Sequence, residues 1–215
     1  WFITTLLATN SMNIIVQYFV GRYNWNQAAL LSASTVGGFI GLLGIPLFSK
    51  MTAKRGPKIV TTICLAATAL YCFSYLLIGS IAVFYIVVAL GYIFNNGINN
   101  VTCGAIVANW FPRKKGVMLG IATIGLPLSA ALGIPLLSLL SSSFNLPWAM
   151  FILGIICVLF LIFNELWLKN RPEEIDLTPD GDEMTEEEIL ALRESIKNFK
   201  SELTVKKLFG DKNTW

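Results

Sequence analysis

An all-α, polytopic membrane protein is the fold class this sequence predicts, and three observations predict it. Of its 215 residues, 55% are hydrophobic and 13% charged, against roughly 45–50% and about 25% in a soluble domain. The apolar residues gather into six stretches, each long enough for the roughly 20 residues that cross a bilayer as a helix. The charges are segregated. No Asp or Glu precedes Glu165, so residues 1–168 carry a net charge of +7 and residues 169–215 a net charge of −4. The chain therefore divides into an acid-free six-helix body over 1–168 and a charged loop over 169–215. This composition excludes a soluble domain, a disordered chain and a nucleic-acid binder. The first partner it implies is the lipid bilayer.

The six stretches run approximately over 1–20, 28–49, 59–79, 82–109, 115–140 and 147–168. They are continuously apolar rather than alternating, which points to helices and not to barrel strands. Hydrocarbon also leaves the backbone to satisfy its own hydrogen bonds. Span 1 reads WFITTLLATNSMNIIVQYFV; Asn10, Asn13 and Gln17 fall at i, i+3 and i+7 on one helical face, with Thr9 beside them. Span 2 contains Gly37, Gly38, Gly41, Gly44 and Pro46. Span 3 is a plain apolar run. Span 4 contains YIFNNGINNVTCG, in which Asn95 and Asn99 share one face and Asn96 and Asn100 the adjacent one. Span 5 contains Gly116, Gly120, Gly125, Pro127, Gly133 and Pro135. Span 6 runs apolar up to Lys169 and Arg171.

The breaks between spans set the expected orientation. Lys50, Lys54, Arg55 and Lys58 follow span 2, Arg113, Lys114 and Lys115 follow span 4, and Lys169 and Arg171 follow span 6. The opposite breaks contain Arg22 alone. Short loops rich in Lys and Arg stay in the cytoplasm, so the ends of spans 2, 4 and 6 are expected inside. Tyr23, Trp25 and Trp148 then fall at outer boundaries, and Trp110 and Trp167 at inner ones, where amphipathic rings favour the interface.

Uncharged polar residues are the informative ones in an acid-free membrane body. An amide left unpaired in hydrocarbon costs several kcal/mol, so Asn10, Asn13, Gln17, Asn95, Asn96, Asn99 and Asn100 should face other helices or water. Two readings stay open: interhelical hydrogen bonds, or a polar cavity that binds a solute. Gly37 with Gly41, and Gly116 with Gly120, form G-x-x-x-G pairs that allow close helix approach. Pro46, Pro127 and Pro135, with Gly120 and Gly125, permit bending, either within tight static packing or where helices slide. Counted as 3+3, spans 1 and 4 are amide-rich and spans 2 and 5 rich in Gly and Pro, the compositional pattern of an inverted-repeat transporter.

Enzyme chemistry is disfavoured. The chain has no His, no acid before Glu165 and no Cys pair at metal-ligand spacing, so the usual bases and ligands are absent. No G-x-x-x-x-G-K-[ST] motif occurs, and no cofactor or metal is expected.

Three local motifs carry a family resemblance. Ser49-Lys50-Met51-Thr52-Ala53-Lys54-Arg55-Gly56-Pro57-Lys58 resembles the signature G-x-L-A-D-R-x-G-R/P-R/K of the major facilitator superfamily, matching at Lys54, Gly56 and Lys58 and departing at Ser49 and Ala53. Trp110-Phe111-Pro112-Arg113-Lys114-Lys115-Gly116 resembles the family's W-F-P-basic-basic-basic-G loop, and Asn170-Arg171-Pro172-Glu173-Glu174 resembles the segment that ends helix 6. The last two are similar to the branch of oxalate/formate antiporters and monocarboxylate transporters. The resemblance implies the N-terminal half of a twelve-helix transporter of a small solute, with the C-terminal six-helix half as the missing partner, in the cell membrane. It implies that Lys54, Gly56, Lys58, Arg113 and Lys114 serve the inner gate. Ala53 stands where the family has the Asp that helps latch that gate.

Thr185 and Glu188 make a capping box, and Ile189, Leu192, Ile196, Phe199 and Leu203 predict an amphipathic helix over roughly 185–203. Asp211–Trp215 reads as the lead-in to a further helix. The expected function is secondary active or facilitative transport by alternating access, of a small carboxylate by the branch resemblance. The alternative is a membrane scaffold or sensor acting through its tail.

Overall fold

A computed structural model describes residues 1–175 and 177–181 of the chain. The expected tail helix over 185–203 and Asp211–Trp215 lie outside the described residues. Those described are helical, with no strand among them. Five helices are long and apolar enough to cross a membrane: Gln27–Arg55, Pro57–Ser74, Ile81–Trp110, Lys115–Phe144 and Leu146–Trp167. These are spans 2 to 6. Span 1 covers the same length in three pieces, Phe2–Thr5, Leu6–Asn10 and Met12–Tyr23.

The boundaries shift from the sequence expectation for local reasons. Span 2 extends through Arg55, because Gly56 with φ +83° is the first residue that leaves the helix. Span 3 starts two residues earlier, with Pro57 at its first position, where a missing N–H is harmless. It ends at Ser74 rather than 79, in a turn that leads to Ser80, whose side chain caps span 4.

Pro46, Pro127 and Pro135 each sit just beyond an interruption. A helical proline takes away the hydrogen bond to the carbonyl four residues back. For Pro46 that carbonyl is Leu42, and Gln27–Leu42 gives way to Gly44–Arg55 there. For Pro127 it is Thr123, where Lys115–Thr123 ends. For Pro135 it is Ala131, inside a wide π-turn over Ser129–Gly133.

Span 2 lies along span 4, and span 3 along span 6. The first fit depends on small residues. A Cβ on Gly41 would stand 2.7 Å from Asn96 Nδ2 and 3.1 Å from the Tyr92 backbone. Span 1 touches spans 2, 4 and 5, and span 5 is the least buried of the five long helices. Two apolar clusters hold the bundle. One, around Phe19, Leu30, Tyr75, Phe84 and Met150, lies toward the end that has Arg22. The other, around Phe48, Val60, Cys64 and Ile98, lies toward the basic end. In the first, Phe19 stacks on Trp25 at 5.3 Å and meets Phe84 edge-on at 5.3 Å.

Candidate functional site

Three spans share one irregularity. Leu6–Asn10 in span 1, Gly97–Thr102 in span 4 and Ser129–Gly133 in span 5 are wide π-turns, a feature often found at functional sites. The wide turn of span 1 touches both that of span 5 and the helix of span 4. Polar side chains stitch them together. Asn99 accepts from Thr4 Oγ1 at 2.9 Å, and its Nδ2 donates to Thr5 Oγ1 at 3.0 Å and to Asn95 Oδ1 at 2.9 Å. The Asn99 carbonyl accepts from Trp1 Nε1 at 3.1 Å. Asn10 Nδ2 donates to Ser129 Oγ at 2.7 Å, which in turn donates to the Leu126 carbonyl.

The irregular backbone of span 1 has its own support. Ser11 Oγ and Tyr71 Oη both donate to the Leu7 carbonyl, at 2.7 and 3.0 Å. Tyr71 also bonds Tyr75 Oη at 2.8 Å. These groups take up a carbonyl at the break that a regular helix would have satisfied internally.

The amides found in the sequence thus separate into two sets. Asn99 has both amide N–H groups engaged and bonds span 1 through Thr4 and Thr5, while Asn95, buried beside it, accepts from Asn99 within span 4. Asn10 joins spans 1 and 5. By contrast Thr9, Asn13 and Gln17 are exposed on span 1 with no side-chain partner among the described residues. Asn100 is exposed on span 4 and donates to Asn96 Oδ1 at 2.7 Å. Asn96 is half-buried against Gly41.

The basic loops are tied to the segment that follows span 6. Gly56 brings the backbone against Asn170; a Cβ there would collide with Asn170 Oδ1. That oxygen accepts from the Lys58 N–H at 2.9 Å and so caps span 3. Lys58 Nζ donates to the Glu165 carbonyl at 2.7 Å and pairs with Glu165 Oε2 at 3.8 Å. Thr62 also donates to the Glu165 carboxylate, and Asn164 Nδ2 donates to Thr62 Oγ1 at 2.9 Å. Asn109 and Trp110 donate to the carbonyls of Asn170 and Lys169. Asp180, which is buried, accepts from the backbone N–H groups of Arg113 and Lys114 at 2.9 and 3.1 Å. Lys114 Nζ donates to its carbonyl at 3.2 Å. Lys54 is exposed.

Sequence reasoning missed Asn164, Asn170 and Asp180 as partners of these loops. A signal for Asp180 exists: Thr178-Pro179-Asp180-Gly181 is a turn sequence, and Asp180 takes a positive φ of 60°. Of the residues expected to bend helices, Pro46, Pro127 and Pro135 are exposed beside the interruptions described above, and Gly125 packs on Phe2 and Trp1. Gly116 and Gly120 face open space, with nothing within 4 Å of a Cβ at either position.

A sequence profile described as Major Facilitator Superfamily matches residues 1–215. No curated protein matches the chain.

Proposed function

The chain belongs to the major facilitator superfamily of membrane transporters, and from that premise we propose that it moves a small solute by alternating access. The observation that carries the reading is the exposed polar stripe Thr9, Asn13 and Gln17 on span 1, with Asn100 on span 4. Amides directed at lipid would cost several kcal/mol each. Their faces therefore meet water or a second six-helix unit, and Asn13, Gln17, Asn96 and Asn100 contact the solute. The three wide turns and the proline interruptions supply spans whose shape can change without breaking a straight helix. The basic end is cytoplasmic by the distribution of Lys and Arg.

The solute class is a small carboxylate, supported by the loops Trp110–Gly116 and Asn170–Glu174. Proton coupling normally uses an intramembrane carboxylate, and none precedes Glu165. A proton-coupling group would then belong to the second six-helix half, and anion exchange or uniport also fits these spans. Purified protein in proteoliposomes, preloaded with formate, oxalate, lactate or succinate, should show counterflow of at least one of them. Asn13→Leu with Gln17→Leu should abolish it while leaving the melting temperature unchanged. Full counterflow in that double variant would sink the role of the amide stripe, and no counterflow of any carboxylate would sink the solute class.

A further inference from the structure

At the basic end, outside the bundle interior, a cavity of about 540 Å³ opens between the ends of spans 2, 3 and 4 and the segment after span 6. Its size falls within the roughly 300–1,000 Å³ of small-ligand sites. Arg55, from the end of span 2, and Arg171, from the segment after span 6, both line it. Neither forms an ion pair among the described residues, and no carboxylate among the described residues contributes to the lining. Asn109 and Asn170 add amides.

Two details separate this cavity from ordinary basic surface. Thr52 lines it, and its Oγ1 is buried without a hydrogen-bond partner. Other helical threonines do otherwise: Thr61, Thr68 and Thr102 each donate to the carbonyl four residues back. A buried hydroxyl without a partner is costly, and rotation of the Thr52 side chain would bring it to an acceptor held in the cavity. Ala53 also lines the cavity. It stands where the resembled loop signature has Asp, so a carboxylate that would have opposed the two guanidinium groups is missing at this position.

We propose that this cavity is an oxyanion site that takes a phosphoryl group, held by Arg55 and Arg171 with the Thr52 hydroxyl as a third donor. Guanidinium groups match phosphate with paired hydrogen bonds, and with no carboxylate among the described lining residues both can act on one anion. The phosphoryl group comes either from a soluble phosphate compound or from an anionic lipid headgroup at the membrane surface. The site is separate from the solute contacts, since none of its residues lies on the exposed amide stripe.

The test uses the whole protein, with two probes. Inorganic phosphate is titrated against protein in neutral detergent, followed by calorimetry and melting temperature. In parallel, protein in nanodiscs of phosphatidylcholine is compared with nanodiscs containing phosphatidylglycerol. Stabilisation by phosphate identifies a soluble ligand, and stabilisation by phosphatidylglycerol alone identifies a lipid headgroup. In either case Arg55→Gln with Arg171→Gln should weaken binding at least about tenfold, the equivalent of one lost charged hydrogen bond. Ala53→Asp should do the same by restoring the carboxylate, Thr52→Val should weaken binding by a smaller factor, and Lys54→Gln, which lies outside the lining, should have no effect. No stabilisation by either probe overturns the proposal. So does binding that survives the double arginine change or Ala53→Asp, or that falls equally with Lys54→Gln. Ala53→Asp and Thr52→Val keep the test decisive if the double variant fails to fold.

Discussion

Asn99 and Asn13 are the same residue type in two amide-rich spans, yet their surroundings give them opposite roles. Asn99 uses both amide hydrogens and accepts from Thr4. Interhelical bonds of this kind average about 0.6 kcal/mol each, so Asn99→Ala should lower stability by roughly 1 kcal/mol over its two side-chain bonds to span 1. Reversible unfolding in mixed micelles measures this. Asn13→Leu should leave stability unchanged and reduce counterflow instead; the reverse pattern would mean that the two roles are exchanged. Gly56 is constrained twice, by a φ of +83° and by the Asn170 side chain beside it. Gly56→Ala should cost about 1–3 kcal/mol, as strained backbone positions do, and a variant as stable as the parent would show that this turn relaxes freely.

At the scale of the element, spans 1 and 2 break for different reasons. Span 2 breaks because Pro46 leaves the Leu42 carbonyl without its partner. Pro46→Ala would restore that bond, so the variant should melt higher and transport more slowly if bending at this point belongs to the cycle. Transport at the parental rate would place the moving part elsewhere. Span 1 breaks without a proline. Its wide turn is held from outside, by Tyr71 Oη on the Leu7 carbonyl. Tyr71→Phe keeps the ring and removes the bond, and should lower stability by about 1 kcal/mol. Nothing in the residue pattern of span 1 marks this turn. Serine and threonine in an apolar run read as ordinary span residues, and a carbonyl's partner 64 positions away in the chain follows only from how the helices pack.

Across the whole molecule, residues 169–181 fasten the basic end. Asn170 caps span 3 and Asp180 meets the backbone of Arg113 and Lys114 at the start of span 5. Removal of a helix-capping side chain costs about 0.5–2 kcal/mol. Asp180→Ala should therefore lower the melting temperature and speed protease cleavage after Lys169, with span 4 unaffected; parental cleavage rates would mean that the segment is held by its other contacts alone. The fold class was legible almost completely, because six long apolar runs separated by basic breaks allow few alternatives to membrane helices. The candidate site was legible in residue type only. Amide spacing marked spans 1 and 4, but it could not separate Asn95 and Asn99 from Asn13 and Gln17.

The sequence by itself determined what the solvent enforces: helical spans in a bilayer, the acid-free body, and close packing where Gly37 and Gly41 recur. Hydrophobic transfer acts on each stretch separately, so it can be read locally. The tertiary structure alone decided which amides are spent on neighbouring helices, which carbonyl Tyr71 supports, and which two arginines share a cavity with Thr52. Each of these depends on polar groups brought together from distant parts of the chain, and a hydrogen bond depends on distance in space rather than on spacing in sequence.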